Sequence, residues 1–218
     1  MSGIENNLLV LFPECILALA AMGLLMIGVI AGSNSFRPVS FAAVCALVIA
    51  GYFVIMPLTA SQTAFQGAFI ADGFARFAKI FILLGSALTL LMSQEFFERE
   101  KIAFFEYPVL IVLATVGMLL MVSASNFIAL YLGFELQSLA LYVLAAFNRD
   151  SVRSSEAGLK YFVLGALSSG MMLYGISFIY GFAGTTSFAV VSNAVGHAGV
   201  NIGLIFGLVF LIAGLAFK

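Results

Sequence analysis

The chain has 218 residues, of which 63% are hydrophobic and 9% are charged, with a formal net charge of −1 and a mean hydropathy of +1.18. A soluble domain carries about 25% charged residues, because polar side chains must cover its core. These values exclude a soluble globular enzyme and a disordered chain. The absence of a basic surplus also excludes a nucleic-acid-binding protein. The composition is that of an integral protein of the lipid bilayer.

Seven apolar runs predict seven transmembrane helices. A helix needs about 20 apolar residues to cross a hydrocarbon core about 30 Å thick. The runs lack the alternation of strands, so we predict an all-α, polytopic helix bundle. The predicted spans are roughly Leu8–Ala31, Val39–Pro57, Phe74–Met92, Tyr107–Val122, Asn126–Phe147, Leu159–Tyr180 and Val200–Lys218.

The positions of lysine and arginine in the connectors predict the orientation of the chain. Basic residues follow the first, third and fifth spans, whereas the N-terminus and the connectors after the second, fourth and sixth spans have none. Since cytoplasmic loops carry the excess of basic residues, we expect the N-terminus to lie outside. The basic residues counted are Arg37, Arg99, Lys101, Arg149 and Arg153.

Two local patterns predict close packing of helices. The four residues from Ser123 to Asn126 are too few for anything but a tight turn, so the fourth and fifth spans should form an antiparallel hairpin with Asn126 as the N-cap. Gly199, Gly203 and Gly207 recur every four residues, which lets the seventh helix approach a neighbour closely.

Glu135 is the polar residue that most needs an explanation. It lies nine residues after Asn126, which places it about 13–14 Å deep, near the bilayer midplane. A charge there costs about 2.5–3.5 kcal/mol on insertion scales, and no charged residue lies within four positions. Glu135 is therefore either a neutral acid held by a hydroxyl or carbonyl, or an ion-pairing, proton-carrying group whose partner comes from another helix.

Two lysines are candidates for proton transfer, each with a structural alternative. Lys160 follows Glu156 by four residues, so it is either an interfacial ion pair or a lysine that faces the bundle and exchanges protons with the cytoplasm. Lys218 lies about 27 Å along a straight helix from Val200, near the far face of the membrane. It is interfacial in that case and intramembrane if the helix continues, starts later or is broken.

The remaining polar groups have ordinary interpretations. Asp72 and Arg76 have the spacing of a local ion pair, and Glu14 complements the dipole at the start of the first helix. We expect Cys15 and Cys45, both inside apolar runs, to be small buried residues. No motif for haem, an iron–sulfur cluster, zinc or a nucleotide occurs, so we expect no cofactor in this chain.

Four segments carry a resemblance to a known family. They are Phe134–Leu139, Glu156–Phe162, Ala71–Phe74 and Ala213–Lys218. In combination they resemble the antiporter-like membrane subunits of respiratory complex I, in particular the bacterial subunit N branch, which is similar to mitochondrial NADH dehydrogenase subunit 2. The resemblance extends over essentially the whole chain.

The resemblance implies a fold of two inverted five-helix repeats, each with a broken helix near the midplane. Carried over by position, Glu135 is the acid of the fifth helix, Lys218 is its partner on the seventh, and Lys160 supports proton entry. We expect an N-terminal unit of three helices at 1–106 and a first antiporter-like repeat at 107–218. Family members have about twice as many helices, so we expect this chain to be the front part of a longer protein, with the repeat incomplete.

The function implied is that of a proton-translocating, non-redox membrane-arm subunit of NADH–quinone oxidoreductase. NADH, FMN, iron–sulfur clusters and quinone belong to partner subunits, and the assembly is a hetero-oligomer in a bacterial inner membrane or, alternatively, a mitochondrial one. Two alternatives remain at this point: a subunit of a multi-subunit cation/proton antiporter, and a non-pumping structural subunit.

Overall fold

The computed structural model describes residues 10–56, 62–100, 102–197 and 202–218. The predicted span boundaries Leu8, Pro57 and Val200, together with Lys101 and Gly199, lie outside the described residues. In chain order the elements are α1 (Phe12–Ala31), α2 (Phe36–Ile55), β1 (Gln62–Ala64), β2 (Phe69–Ala71), α3 (Gly73–Arg99), α4 (Glu106–Ser123), α5 (Phe127–Ala145), α6 (Val152–Ala183), α7 (Phe188–His197) and α8 (Ile202–Phe217), with a 3₁₀ turn at Gly32–Ser35.

The first six predicted spans are confirmed as helices long and apolar enough to cross a membrane, α1 to α6. The protein is therefore an all-α, multi-pass membrane protein. The seventh span differs from its prediction. A separate ten-residue helix, α7, precedes α8, and α8 has 16 residues, fewer than the about 20 of a straight span. The outward N-terminus stays a prediction.

The apolar side chains of the described residues form two cores. The first joins α1 to α4 through residues such as Leu17, Leu47, Leu90 and Leu119. The second joins α6, α7 and α8, with aromatic residues of α5 packed against it. α4 thus shares its core with the three preceding helices, although the predicted boundary between the N-terminal unit and the first repeat falls at the start of α4. That division at 106 and 107 stays a prediction.

The prediction that both cysteines are buried is wrong. Both are free thiols; Cys15 is half-buried and Cys45 is exposed. Cys45 lies on a face of α2 that also exposes Phe41 and Val48, one helical turn away on either side. Such a face meets lipid in a membrane, and since lipid is as apolar as a protein core, hydrophobicity does not separate the two environments.

The α4–α5 hairpin and its cap are confirmed. The Asn126 side chain accepts a hydrogen bond of 2.7 Å from the Ala129 N–H at the start of α5. The helices then approach so closely that a Cβ added to Gly117 would lie 2.8 Å from the carbonyl oxygen of Gly133. These glycines bring the two backbones into contact.

Backbone hydrogen bonds join the connectors at the end of the bundle where α5 begins. β1 and β2 form an antiparallel pair in the connector before α3, an element that the sequence did not predict. The Ser125 N–H donates to the Ala68 carbonyl after β1 at 2.8 Å, and the Phe127 N–H donates to the Thr186 carbonyl after α6 at 3.0 Å. These bonds fix the start of α5 between its neighbours and so help to set the height of Glu135.

Candidate functional site

Glu135, Ser169 and Lys218 form one hydrogen-bonded cluster from three helical segments. The Lys218 ammonium donates to Glu135 Oε1 at 2.5 Å and to Ser169 Oγ at 2.6 Å. The Ser169 hydroxyl lies 2.5 Å from the same carboxylate oxygen and 2.9 Å from the Gly165 carbonyl, and it can donate to either. The partner predicted for Glu135 on another helix is therefore present, and it is Lys218.

The cluster is shielded from water on the lysine side. The Lys218 side chain is 1% exposed, and its ammonium lies 5.2 Å from the centre of the Phe134 ring, in cation–π contact. The Glu135 side chain is 24% exposed. An ion pair in such surroundings is screened far less than one on a surface, so the two charges depend strongly on each other.

The long helix α6 explains why Lys218 lies at the height of Glu135. Its 32 residues span about 48 Å, more than a hydrocarbon core. A Cβ added to Gly203 would collide with the Phe182 ring, so α8 begins level with the outer end of α6. Sixteen residues of α8 then bring Lys218 to Ser169, near the middle of α6. Lys218 therefore lies inside the bundle beside Glu135, as the intramembrane alternative requires, and its depth in the membrane stays a prediction.

Small residues hold α8 against α6 in this register. A Cβ added to Gly175 would lie 2.6 Å from the Leu211 backbone nitrogen, and one added to Gly207 would lie 3.0 Å from the Ile179 backbone nitrogen. One turn before Lys218, the Ser168 hydroxyl donates to the Gly214 carbonyl at 2.6 Å. The predicted packing role of the glycine repeat is confirmed for Gly203 and Gly207.

Comparison with known proteins identifies the family. Residues 124–218 match the family described as NADH:quinone oxidoreductase/Mrp antiporter, and residues 6–95 match NAD(P)H-quinone oxidoreductase subunit 2, N-terminal. NADH-quinone oxidoreductase subunit N 1 of Rhizobium meliloti (strain 1021) is 56% identical over 206 residues, which are 94% of this chain and 43% of that protein. Subunit N of Paramagnetospirillum magneticum is 54% identical over 217 residues, 97% of this chain and 45% of that protein.

The chain belongs to the subunit N family of NADH-quinone oxidoreductases. A chain of respiratory complex I from Thermus thermophilus shares its fold, with a TM-score of 0.75 and 27% identity over 94% of this chain and 43% of that one. The chain spans less than half the length of these relatives. Because the curated relatives are named as oxidoreductase subunits, the cation/proton antiporter alternative is not favoured.

Lys160 lies apart from the cluster. The ion pair predicted from its spacing is confirmed, because its ammonium lies 2.5 Å from Glu156 Oε1. Its side chain is 70% exposed, as expected for the interfacial alternative. A role of Lys160 in proton entry stays a prediction for this member of the subunit N family.

A second buried ion pair escaped the sequence analysis. Lys79 on α3 lies 2.6 Å from Glu14 Oε1 on α1, and the side chains are 5% and 4% exposed. Glu14 does lie in the first turn of α1, as the dipole argument assumed. Asp72 caps α3 by accepting from the Ala75 N–H at 2.7 Å, and within the described residues it forms no ion pair with Arg76. That predicted local pair is wrong.

Ser169 was also missed, because a serine in an apolar helix has no pattern that marks it. Its one sequence signal is its position four residues after Gly165, whose carbonyl it can hydrogen-bond. Across the described part of the chain no group of three or more His, Cys, Asp or Glu side chains could hold a metal ion.

Proposed function

We propose that the chain is part of a proton-translocating membrane-arm subunit of NADH–quinone oxidoreductase, located in the bacterial inner membrane. The observation that carries the proposal is the buried contact between Lys218 and Glu135 across α5 and α8. Intramembrane ionisable residues are costly, and proton relays are a common reason for keeping them. Membership of the subunit N family supports the same function.

The pair works as a switch because its two charges stabilise each other. At an effective dielectric constant of 20, two charges 4 Å apart attract by about 4 kcal/mol, and separation to 8 Å halves this value. The about 2 kcal/mol lost is similar to the about 2.3 kcal/mol needed to move one charge across 100 mV. Opening the pair therefore favours release of a proton from the Lys218 ammonium, and closing it favours uptake of a proton by the amine.

Ser169 positions the lysine in this cycle. It accepts from Lys218 and can donate to Glu135, so it keeps the amine close to the carboxylate in the closed state. The proton that leaves Lys218 passes to a further group of the full-length subunit. Lys160 supplies protons from the cytoplasmic side, as the resemblance implies.

The energy for opening the pair comes from other subunits. As the resemblance implies, we place NADH, FMN, the iron–sulfur clusters and quinone in partner subunits. The chain then acts without a redox centre of its own. Its partners are the other membrane-arm subunits, which transmit the driving conformational change.

The test is proton pumping by the assembled complex with Glu135→Gln or Lys218→Met in the full-length subunit. We expect normal assembly and NADH oxidation, with proton transfer through this subunit slowed by about 100-fold or more, the usual effect of removing a positioned proton carrier. Glu98→Gln is the matched control, since Glu98 pairs with Arg37 at the surface. A wild-type ratio of protons to electrons in both variants would refute the pair mechanism.

Lys160 needs a separate experiment. We expect Lys160→Met to slow pumping at low proton concentration on the cytoplasmic side more than at high concentration, because an entry group matters most when protons are scarce. Arg153→Met, in the first turn of the same helix, is the control. Equal pumping by wild type and Lys160→Met across this range would leave Lys160 an interfacial residue.

A further inference from the structure

Tyr142 lies on the same face of α5 as Glu135, two helical turns closer to the end of that helix. The two residues are seven positions apart, which is about 10 Å along the helix axis. The Tyr142 hydroxyl rests against α6, because a Cβ added to Gly165 would collide with it. The Ser169 side chain lies beside it, one turn further along α6. Tyr142 therefore carries the next hydroxyl after Ser169 on the way from the cluster to the end of α5.

The Tyr142 hydroxyl is buried but makes no hydrogen bond of normal geometry with the described residues. A buried hydroxyl without a partner costs about 1–3 kcal/mol. A phenylalanine side chain would fill the same space without this cost. Packing of the ring therefore does not account for the presence of the hydroxyl.

The Tyr142 side chain also lines a cavity of about 520 Å³ between α4, α5 and α6. The cavity has room for roughly 17 water molecules, each of which takes about 30 Å³ in the liquid. Its described lining is largely apolar but includes Glu106, at the start of α4, and Arg149, after the end of α5. The cavity therefore lies at the predicted cytoplasmic end of these helices.

Glu106 favours water rather than a lipid chain as the content of this cavity. One of its carboxylate oxygens, Oε2, is buried and accepts no hydrogen bond from any residue that the structure describes. A lipid chain cannot donate a hydrogen bond to this oxygen, whereas a water molecule can. The Arg149 guanidinium lies 5.7 Å from the centre of the Phe104 ring, so it holds a second charge at the same end of the cavity.

We infer that Tyr142 is a proton-relay residue, which connects the water of this cavity to the cluster of Glu135, Ser169 and Lys218. The inference rests on the proposed function and names the route by which that site takes up its proton. A hydronium ion in the cavity gives a proton to the Tyr142 oxygen and becomes water. Tyr142 gives its own proton to the Ser169 oxygen, and Ser169 gives its own to the free amine of Lys218. Each hydroxyl gains and loses one proton, and Lys218 becomes an ammonium.

The structure shows the relay in its closed state. Lys218 is already paired, and the buried Tyr142 hydroxyl is out of reach of water in the cavity. The ring packs edge-on against Tyr161, with the ring centres 4.8 Å apart, and the cavity on its other flank leaves room for movement. A movement of the ring towards the cavity brings the hydroxyl to water. Lys160 is not among the residues described as the cavity lining, so this route is separate from the entry role predicted for Lys160.

Tyr142→Phe in the full-length subunit of the assembled complex tests the relay. We expect assembly and NADH oxidation like wild type, because the ring and its packing remain. Proton transfer through this subunit should slow by about 100-fold, which lowers the ratio of protons to electrons. The rate of transfer should also fall more in D₂O than it does in wild type, since the interrupted relay becomes rate-limiting. A purely structural defect would leave this isotope effect unchanged.

Tyr174→Phe is the matched control. It removes a tyrosine hydroxyl from an exposed side chain of α6 that is not among the described lining of the cavity. We expect this variant to pump like wild type. Equal ratios of protons to electrons in Tyr142→Phe and Tyr174→Phe would overturn the inference.

A second experiment tests whether water fills the cavity. Val143 lines it, whereas Leu173 on α6 is not among its described lining, and the two residues are 52% and 48% exposed. Val143→Cys and Leu173→Cys are treated with a charged, water-soluble thiol reagent in inverted membrane vesicles, whose cytoplasmic face is outward. We expect Val143→Cys to react at least about 10-fold faster, because the reactive thiolate forms in water and not in an apolar environment. Equal rates would show that lipid or protein fills the cavity, which would overturn the inference.

Glu135→Gln, measured in parallel, distinguishes this inference from the proposed function. If Glu135→Gln loses pumping and Tyr142→Phe does not, the proposed function stands and the relay is refuted. If Glu135→Gln pumps like wild type, the proposed function fails, and the relay fails with it.

Discussion

Gly175→Ala should separate α6 from α8 and move Lys218 relative to Glu135. A Cβ added to Gly175 would lie 2.6 Å from the Leu211 nitrogen and 2.7 Å from the Gly207 carbonyl oxygen, both backbone atoms that cannot rotate away. Ordinary van der Waals contact begins near 3.4 Å, so α8 must move by about 0.8 Å. Overpacking of this kind costs about 1–3 kcal/mol.

The displacement reaches the cluster of Glu135, Ser169 and Lys218. Lys218 lies seven residues beyond Leu211, about 10 Å further along α8, so a shift at Gly175 is carried to the lysine by the helix. A misplacement near 1 Å can slow a reaction by about 100-fold. We therefore expect Gly175→Ala to lower both the free energy of unfolding and the rate of proton pumping.

The assay compares three alanine variants of α6 in the full-length subunit. Gly170 and Gly181 lie on the same helix, and a Cβ added to either meets no atom within 4 Å. Alanine at these sites should be neutral or slightly stabilising, since it favours the helix over glycine by about 0.5–1 kcal/mol. Unfolding and pumping are measured for all three. If Gly175→Ala and Gly170→Ala have the same free energy of unfolding and the same rate of pumping, the close approach of α6 and α8 does not determine the position of Lys218 relative to Glu135.

Three further variants test individual contacts. Ser169→Ala removes the hydroxyl that bonds Lys218 and Glu135, so we expect a loss of about 1.5–3 kcal/mol in unfolding free energy and slower pumping, with Ser169→Thr as the rescuing variant. Tyr142→Phe removes a buried hydroxyl that lies beside the Ser138 and Ser169 side chains but makes no hydrogen bond of normal geometry with the described residues, so thermal unfolding should change little. Asn126→Ala removes the cap of α5 and should cost about 1 kcal/mol in chemical unfolding, which Asn126→Asp restores.

Features set by neighbours along the chain could be predicted from the sequence. Six helices follow from apolar length alone. Asn126 was identified as a cap because a cap bonds within its own first turn, and the Glu156–Lys160 pair because four residues make one turn. Asp72 shows the limit of local spacing. Its carboxylate bonds the backbone at the start of α3, which competes with the side chain of Arg76.

Features set by helix packing could not be predicted. The height of Lys218 depends on where α8 starts relative to α6, and that register is fixed by glycine contacts between helices. Glu14 and Lys79 are 65 positions apart, so neither residue indicates the other. The sequence showed that Glu135 needed a partner because burial of a lone charge is costly, but the partner could be named only through the family resemblance.

An ion pair within one helix and an ion pair between two helices respond differently when the helices move. The distance from Glu156 to Lys160 is set by the geometry of α6, so motion of α6 against its neighbours does not change it. The distance from Glu135 to Lys218 changes whenever α8 moves relative to α5. In the proposed mechanism, only a pair of the second kind lets the movement of one helix against another alter the protonation of a buried group. The Glu14–Lys79 pair also joins two helices, so a movement of α1 against α3 would change it in the same way.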